Sequence, residues 1–228
     1  LYDRALLLAE LGRAAEAAAV AGEYLGLDPA GPWARRLRRE LRVPAGVVAD
    51  CRAVGRPRVR QGRTVRQRVL RADGVWSLPV TEIAGGPADP PELLVADGGR
   101  AGCAAAARAA SARGRRVFVA DLTGTGELPA TWQCHMLLAA AGERPLGVLA
   151  GQLLALERWV GDLCGQPCHV QAAGQVLSVV ALVAAALEPR LVRSLTTAGL
   201  PDTFRRLLDW PVAYGAAAPL FCPGLLRF

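Results

Sequence analysis

Residues 168–187 read CHVQAAGQVLSVVALVAAAL. Cys168 to Ala173 form a short strand-like run. From Gln175 to Leu187 the chain is apolar, free of Gly and Pro, and helical in pattern, and Glu188-Pro189 closes it. Gly174 stands at the junction. A strand that passes through one glycine into a helix is half of a βαβ unit. Such units lay strands side by side in parallel and put helices on the sheet faces.

Working outward, the same alternation continues. Leu146 to Leu163 is predicted as a long helix before this unit, and Leu191 to Thr197 as a strand after it. Upstream, Glu92–Ala96 and Arg116–Asp121 read as buried strands, with an Ala-rich helix over Ala101–Ala112 between them. The expected fold class is therefore α/β: a mostly parallel sheet with helices on both faces and right-handed crossovers, over residues 73–228. Val75 to Ile83 reads as a further strand, and Gly85 to Pro91 as a Gly/Pro-dense loop. Residues 44–72 read as an Arg-rich linker followed by an exposed edge strand at Val65–Leu70. Residues 1–43 read as an N-terminal helical hairpin, with another helix starting at Pro32.

Composition bounds the function. The chain has 228 residues, 52% of them hydrophobic, which suits one packed core and excludes a disordered chain. No uncharged apolar run has the length of a membrane span, so no membrane partner is expected. All 27 basic residues are Arg, and the net charge is +7. Thirteen of these Arg lie between Arg35 and Arg71, against only Glu40 and Asp50, a local balance of +11. The remainder, fourteen Arg against eighteen acids, balances at −4. Six scattered Cys in a chain of this size suggest a reducing compartment, which favours the cytoplasm. The chain opens at Leu1 inside a helical pattern and reads as a piece of something longer.

In sheets of this kind, sites form at the carboxyl ends of strands. Three turns qualify: Asp97 to Arg100, Asp121 to Glu127 and Ala172 to Leu177. Val117 to Glu127, Val-Phe-Val-Ala-Asp-Leu-Thr-Gly-Thr-Gly-Glu, resembles the strand and turn of bacterial α/β hydrolases close to acetylxylan esterases. That family has Asp-x-Arg-Gly-x-Gly-Glu here, and Thr123 replaces the Arg. Leu93–Gly99 is similar to the preceding strand and oxyanion loop, and Val170–Pro189 to the elbow strand and its helix. The resemblance covers roughly residues 64–228 and implies a truncated hydrolase-like domain related to carboxylic-ester hydrolases. A second resemblance lies in Leu11-Gly12, Glu16-Ala17, Tyr24-Leu25 and Leu27-Asp28-Pro29, which are similar to the second half of a tetratricopeptide repeat. It would make residues 1–43 a surface for a protein partner. A helical hairpin capping the main domain is the equal alternative, since repeat arrays need about three units.

The family's elbow, Gly-x-Ser-x-Gly, presents a nucleophile above the sheet. Here the run is Ala172-Ala173-Gly174-Gln175-Val176. Gly174 falls at the nucleophile position and offers no atom for covalent attack. Ser178, one helical turn later, is the weak substitute; a buried or helix-bonded serine is the preferred reading. The two histidines are His169, expected at the far end of the elbow strand, and His135, expected in the loop before the long helix. Neither stands where the family places its base, and the chain ends at Phe228, before the strands that would carry the acid and the His. The expectation is an inactive esterase-like module that binds or scaffolds. The alternatives are an active esterase completed beyond Phe228 and a helical-repeat interaction protein.

Lesser constellations complete the reading. Gly98 and Gly99 with the amides of Gln175 and Val176 form an anion-friendly turn for a small acyl or sugar ligand. Cys164-x3-Cys168-His169 with Cys134-His135 has zinc-ligand residue types at the wrong spacing, so no metal is expected. Gly124-x-Gly126 is only part of a dinucleotide fingerprint, so no cofactor is expected. The Arg run lacks interleaved aromatics beyond Trp33 and Trp76, which disfavours nucleic acid; a solvated or acid-paired face is expected instead.

Overall fold

A computed structural model describes residues 32–86, 90–127 and 132–200. The tetratricopeptide-like reading falls on residues outside this set. Of the predicted hairpin segment, the described part is α1 (Pro32–Leu41), the helix expected to start at Pro32. The chain then runs β1 (Val48–Arg60), β2 (Arg63–Ala72), β3 (Trp76–Ile83), β4 (Glu92–Ala96), α2 (Gly99–Gly102), α3 (Ala104–Ala112), β5 (Val117–Ala120), α4 (Trp132–Ala140), α5 (Pro145–Cys164), β6 (Cys168–Ala173), α6 (Gln175–Leu187) and β7 (Val192–Ala198). The strands form one seven-stranded sheet in the order β1-β2-β3-β5-β4-β6-β7. β5, β4, β6 and β7 are mutually parallel. β3 is antiparallel to β5, β2 to β3, and β1 to β2. Five strands therefore run one way, with β1 and β3 reversed.

The helices cover both faces because the central strands are apolar on both. In β4, Leu93 and Val95 join the larger core cluster with α1, α5 and α6, whereas Leu94 and Ala96 pack with Cys103, Ala107 and Ala110 around α3. β5 divides likewise: Phe118 and Ala120 face the large cluster, Val117 and Val119 the small one. That is the two-residue period of a strand buried on both sides. Leu153, Leu154 and Leu156 on α5 are fully buried; each such leucine contributes about 1.5–3 kcal/mol of apolar burial.

Four readings are corrected. Residues 48–60 are a strand rather than a linker. β2 is paired on both sides, with β1 outside it, so it is not the edge. Gly55 and Pro57 hide β1 from a periodicity reading, but both fall within a register shift between Val54 and Arg58 that absorbs them. The hairpin closes through Gln61 and Gly62, at φ 49° and 72°. Two successive positive φ values match the right-handed twist of paired strands, as tight two-residue hairpin turns require. The Ala-rich helix is broken at Cys103 into α2 and α3. His135 lies within α4, not in a loop, and is buried.

Many arginines of the sheet are anchored on buried acids, which follows from the cost of leaving a carboxylate unpaired in a core. Glu82 on β3 has no exposed side-chain area and accepts from Arg66 at 3.3 Å, Arg68 at 2.8 Å and Arg116 at 2.6 Å. Glu92 accepts from Arg113, Arg115 and Gln171. Arg68 and Arg116 also stand over Trp159 and Phe118, whose rings meet edge to face at 5.3 Å between centroids.

Candidate active site

The carboxyl ends of β4, β5 and β6 bring the three predicted turns together. β6 leads straight into α6, and Gly174 sits between them at φ 100°, ψ 166°. Only glycine occupies this region of backbone space without strain. A Cβ at this position would lie 2.3 Å from Cγ of Asp97. The turn is tied on both sides: the Gly174 amide donates to Ala198 O at 2.7 Å, and the Asp97 amide donates to Ala173 O at 2.9 Å.

Asp97 is the residue that the sequence reading passed over. It is exposed at the end of β4. Its carboxylate accepts from the Val176 amide at 3.1 Å and the Leu177 amide at 2.8 Å. These are first-turn amides of α6, which have no partner within the helix. The Val176 donor assigned to an incoming anion is thus already engaged by the protein's own carboxylate, which sits against Gly174. The signal was present in sequence: an Asp at a strand end, with a glycine-led helix on the neighbouring strand. Only the β4–β6 pairing, which sets Ala96 beside Ala173, links the two.

The second turn is a closed ion network. Gly98 and Gly99 lead into α2, and Arg100 follows. The Arg100 amide donates to Asp121 Oδ1 at 2.7 Å, and its Nε to Oδ2 at 3.0 Å. The same guanidinium reaches Thr81 and Gln67, each at 2.9 Å, and pairs with Glu127. Asp121 is 1% exposed and also accepts the Glu127 amide at 3.1 Å. A Cβ on Gly99 would lie 2.3 Å from Gly126 Cα, so the β4 and β5 turns touch backbone to backbone. Of the pair Gly124-x-Gly126, Gly126 serves this contact. Thr123, at the family's Arg position, exchanges hydrogen bonds with the buried Gln152 of α5 through its amide (3.0 Å) and hydroxyl (2.8 Å).

The remaining candidates lie elsewhere. Ser178 is fully buried, with Oγ within 3.4 Å of Ala172 O and 3.3 Å of Ala198 O. His169 begins β6, at the end away from the turns, where Nδ1 bonds Ser194 Oγ; burial and the nearby Arg115 hold its pKa below the ordinary value. His135 Nδ1 is buried without a partner, and burial lowers its pKa. Cys168 is buried in the large core and its thiol is pushed up by burial. Burial likewise pushes Cys103 up to about 11. Among the described residues, no three His, Cys, Asp or Glu side chains are grouped as metal ligands, and no helix is long and apolar enough to cross a membrane.

Solved structures share this fold. The chain superposes on a Bacteroides fragilis protein assigned as an acetyl xylan esterase with a TM-score of 0.59 at 10% identity, covering 71% of this chain and 50% of that one. It superposes on acetyl xylan esterase 1 from a Thermoanaerobacterium species with a TM-score of 0.57 at 16% identity, covering 82% of this chain and 64% of that enzyme. The chain has the α/β-hydrolase fold. It spans between half and two thirds of the length of these two hydrolase-fold proteins. No protein-family model matches it, and no curated protein matches it by sequence. At such identities the likeness carries the fold, while the hydrolase chemistry has to be argued from the turn itself.

Proposed function

We propose that this chain is a catalytically silent α/β-hydrolase-fold module that acts by binding or scaffolding. The observation that supports the reading is Gly174. It stands at the strand-to-helix turn where an esterase carries its nucleophile, in a backbone conformation that strains any other residue, with Asp97 filling the adjoining space. Ester cleavage needs an attacking atom and free amide donors aimed at the developing oxyanion. Here the first is missing, and the Val176 amide, one of the donors at the mouth of α6, is bound to a carboxylate. The ligand that suits the turn formed by Gly98, Gly99, Gln175 and Val176 is a hydroxyl-rich sugar rather than an acyl anion. A hydroxyl can donate to Asp97, whereas a second anion would be repelled by it.

The test is hydrolysis of p-nitrophenyl acetate. The expected rate equals that of buffer containing a heat-inactivated sample. Saturable turnover, together with fluorophosphonate labelling at Ser178 or another hydroxyl, would overturn the proposal in favour of an active esterase.

A further inference from the structure

At one place several arginines gather without an acid among them. A cleft of about 850 Å³ lies between the β1–β2 hairpin and α3, and Arg56, Arg58, Arg60, Arg63 and Arg108 line it. No acidic residue lines it, and these five guanidiniums take part in none of the ion pairs among the described residues. The register places Arg58, Arg60 and Arg63 on one face. Arg58 lies opposite Val65, and Arg60 directly opposite Arg63 across the Gln61–Gly62 turn. Like charges set directly across two strands repel one another. Evenly spread charge would be solvated and need no explanation; a facing pair inside a five-arginine cleft is relieved by an anion between them. Arg108 reaches the same cleft from a separate element, α3.

We propose that this cleft binds a compact anion carrying several phosphate groups. The guanidinium fork donates two parallel hydrogen bonds to a phosphate, so several forks facing one volume match several linked phosphates better than one. The volume lies within the range of small-molecule pockets and exceeds what a single phosphate fills. No aromatic side chain lines the cleft, so a nucleobase would gain no stacking there, and recognition rests on the phosphates. The cleft shares no lining residue with the Gly174 turn, and the proposal is independent of whether that turn is silent.

Isothermal titration calorimetry with inorganic tripolyphosphate, at about 0.15 M ionic strength to screen diffuse attraction, tests the proposal. The expected result is saturable binding, with orthophosphate at least about tenfold weaker because it engages fewer forks. The pair Arg60→Ala/Arg63→Ala and, separately, the pair Arg58→Ala/Arg108→Ala should each weaken tripolyphosphate at least about tenfold. Arg193→Ala, on the exposed far-edge strand β7, should leave it unchanged, and circular dichroism melts would show that all the variants fold. Three results overturn the proposal: no heat with tripolyphosphate, equal loss in Arg193→Ala, or a single-stranded oligonucleotide that binds and is not displaced by tripolyphosphate. The last would make the cleft a nucleic-acid groove.

Discussion

Glu82 on β3 and Glu157 on α5 are both fully buried, yet their surroundings treat a carboxylate in opposite ways. Burial pushes Glu82 up, but hydrogen bonds from Arg116 and Arg68 and their charges outweigh it and hold the carboxyl below its ordinary value. Glu157 lies within the large core, and neither of its oxygens has a hydrogen-bond partner. Burial pushes its pKa up to about 8; the charge of Arg158 pulls the other way without reaching it. The first region keeps its acid ionised and uses it to tie β2, β3 and the start of β5. The second keeps its acid protonated, as an oversized polar filler. Burial alone does not decide the state of a carboxylate; what decides it is the number of donors the neighbouring strands deliver.

The largest effect expected from this contrast follows removal of Glu82. Glu82→Ala strands three partly exposed guanidiniums around an emptied buried site and should cost about 3 kcal/mol, the low end for breaking a buried ion cluster from one side. Urea unfolding measures it. A loss below about 1 kcal/mol would mean that the arginines re-solvate freely, and the contrast with Glu157 would dissolve.

Next in size is a pH effect of opposite sign in the two regions. Glu157 is raised in the folded chain, so its share of stability is whole below its ordinary value of 4.5 and is lost as pH rises through about 8. Glu82 is lowered, so its share is whole above 4.5 and is lost on further acidification. Stability should therefore peak in mildly acidic solution and decline toward alkaline pH. Glu157→Gln removes the ionisation and should flatten the alkaline decline, by on the order of 3 kcal/mol once local opening to water is allowed for. Thermal melts from acid to alkaline pH, for both proteins, check it; parallel curves would show that Glu157 is hydrated.

The contrast also marks how far the sequence could be read. β4, β6 and α6 have the boundaries expected from their apolar runs, because strands buried on both faces and a helix free of Gly and Pro carry their own signal. β1 was missed because its residues are almost all exposed, and its structure comes from pairing with β2 rather than from burial. Gly174 was legible as the glycine between a strand and a helix. The role of Asp97 was not: its partners lie about eighty residues away, at separations of 79 and 80. The arginine segment was read as one charge run. The structure divides it into cations held by buried acids and cations that line a cleft, a division set by which strand face each residue occupies.

A third carboxylate, Asp97, is satisfied by helix amides alone and provides a graded test on the rim. Gly174→Ser forces a side chain into a glycine-only conformation against that carboxylate and should cost about 2 kcal/mol without producing esterase activity. Activity gained by this single change would contradict the account of the turn.

The smallest effect expected is that of Asp97→Ala. It frees the Val176 and Leu177 amides and should cost about 1 kcal/mol, the usual price of losing a helix cap, because water can reach this exposed turn and replace the carboxylate. The informative quantity is its coupling to Gly174→Ser. Two separate contributions make up the cost of the serine: a backbone conformation that disfavours any side chain, and contact with Asp97 Cγ at 2.3 Å. Deleting the carboxylate removes only the second. The double variant should therefore be more stable than the sum of the single losses predicts, by roughly 1 kcal/mol, and still less stable than the parent. Strict additivity in urea unfolding would mean that Asp97 swings away from the serine at no cost, leaving the φ of Gly174 as the whole obstacle at the turn.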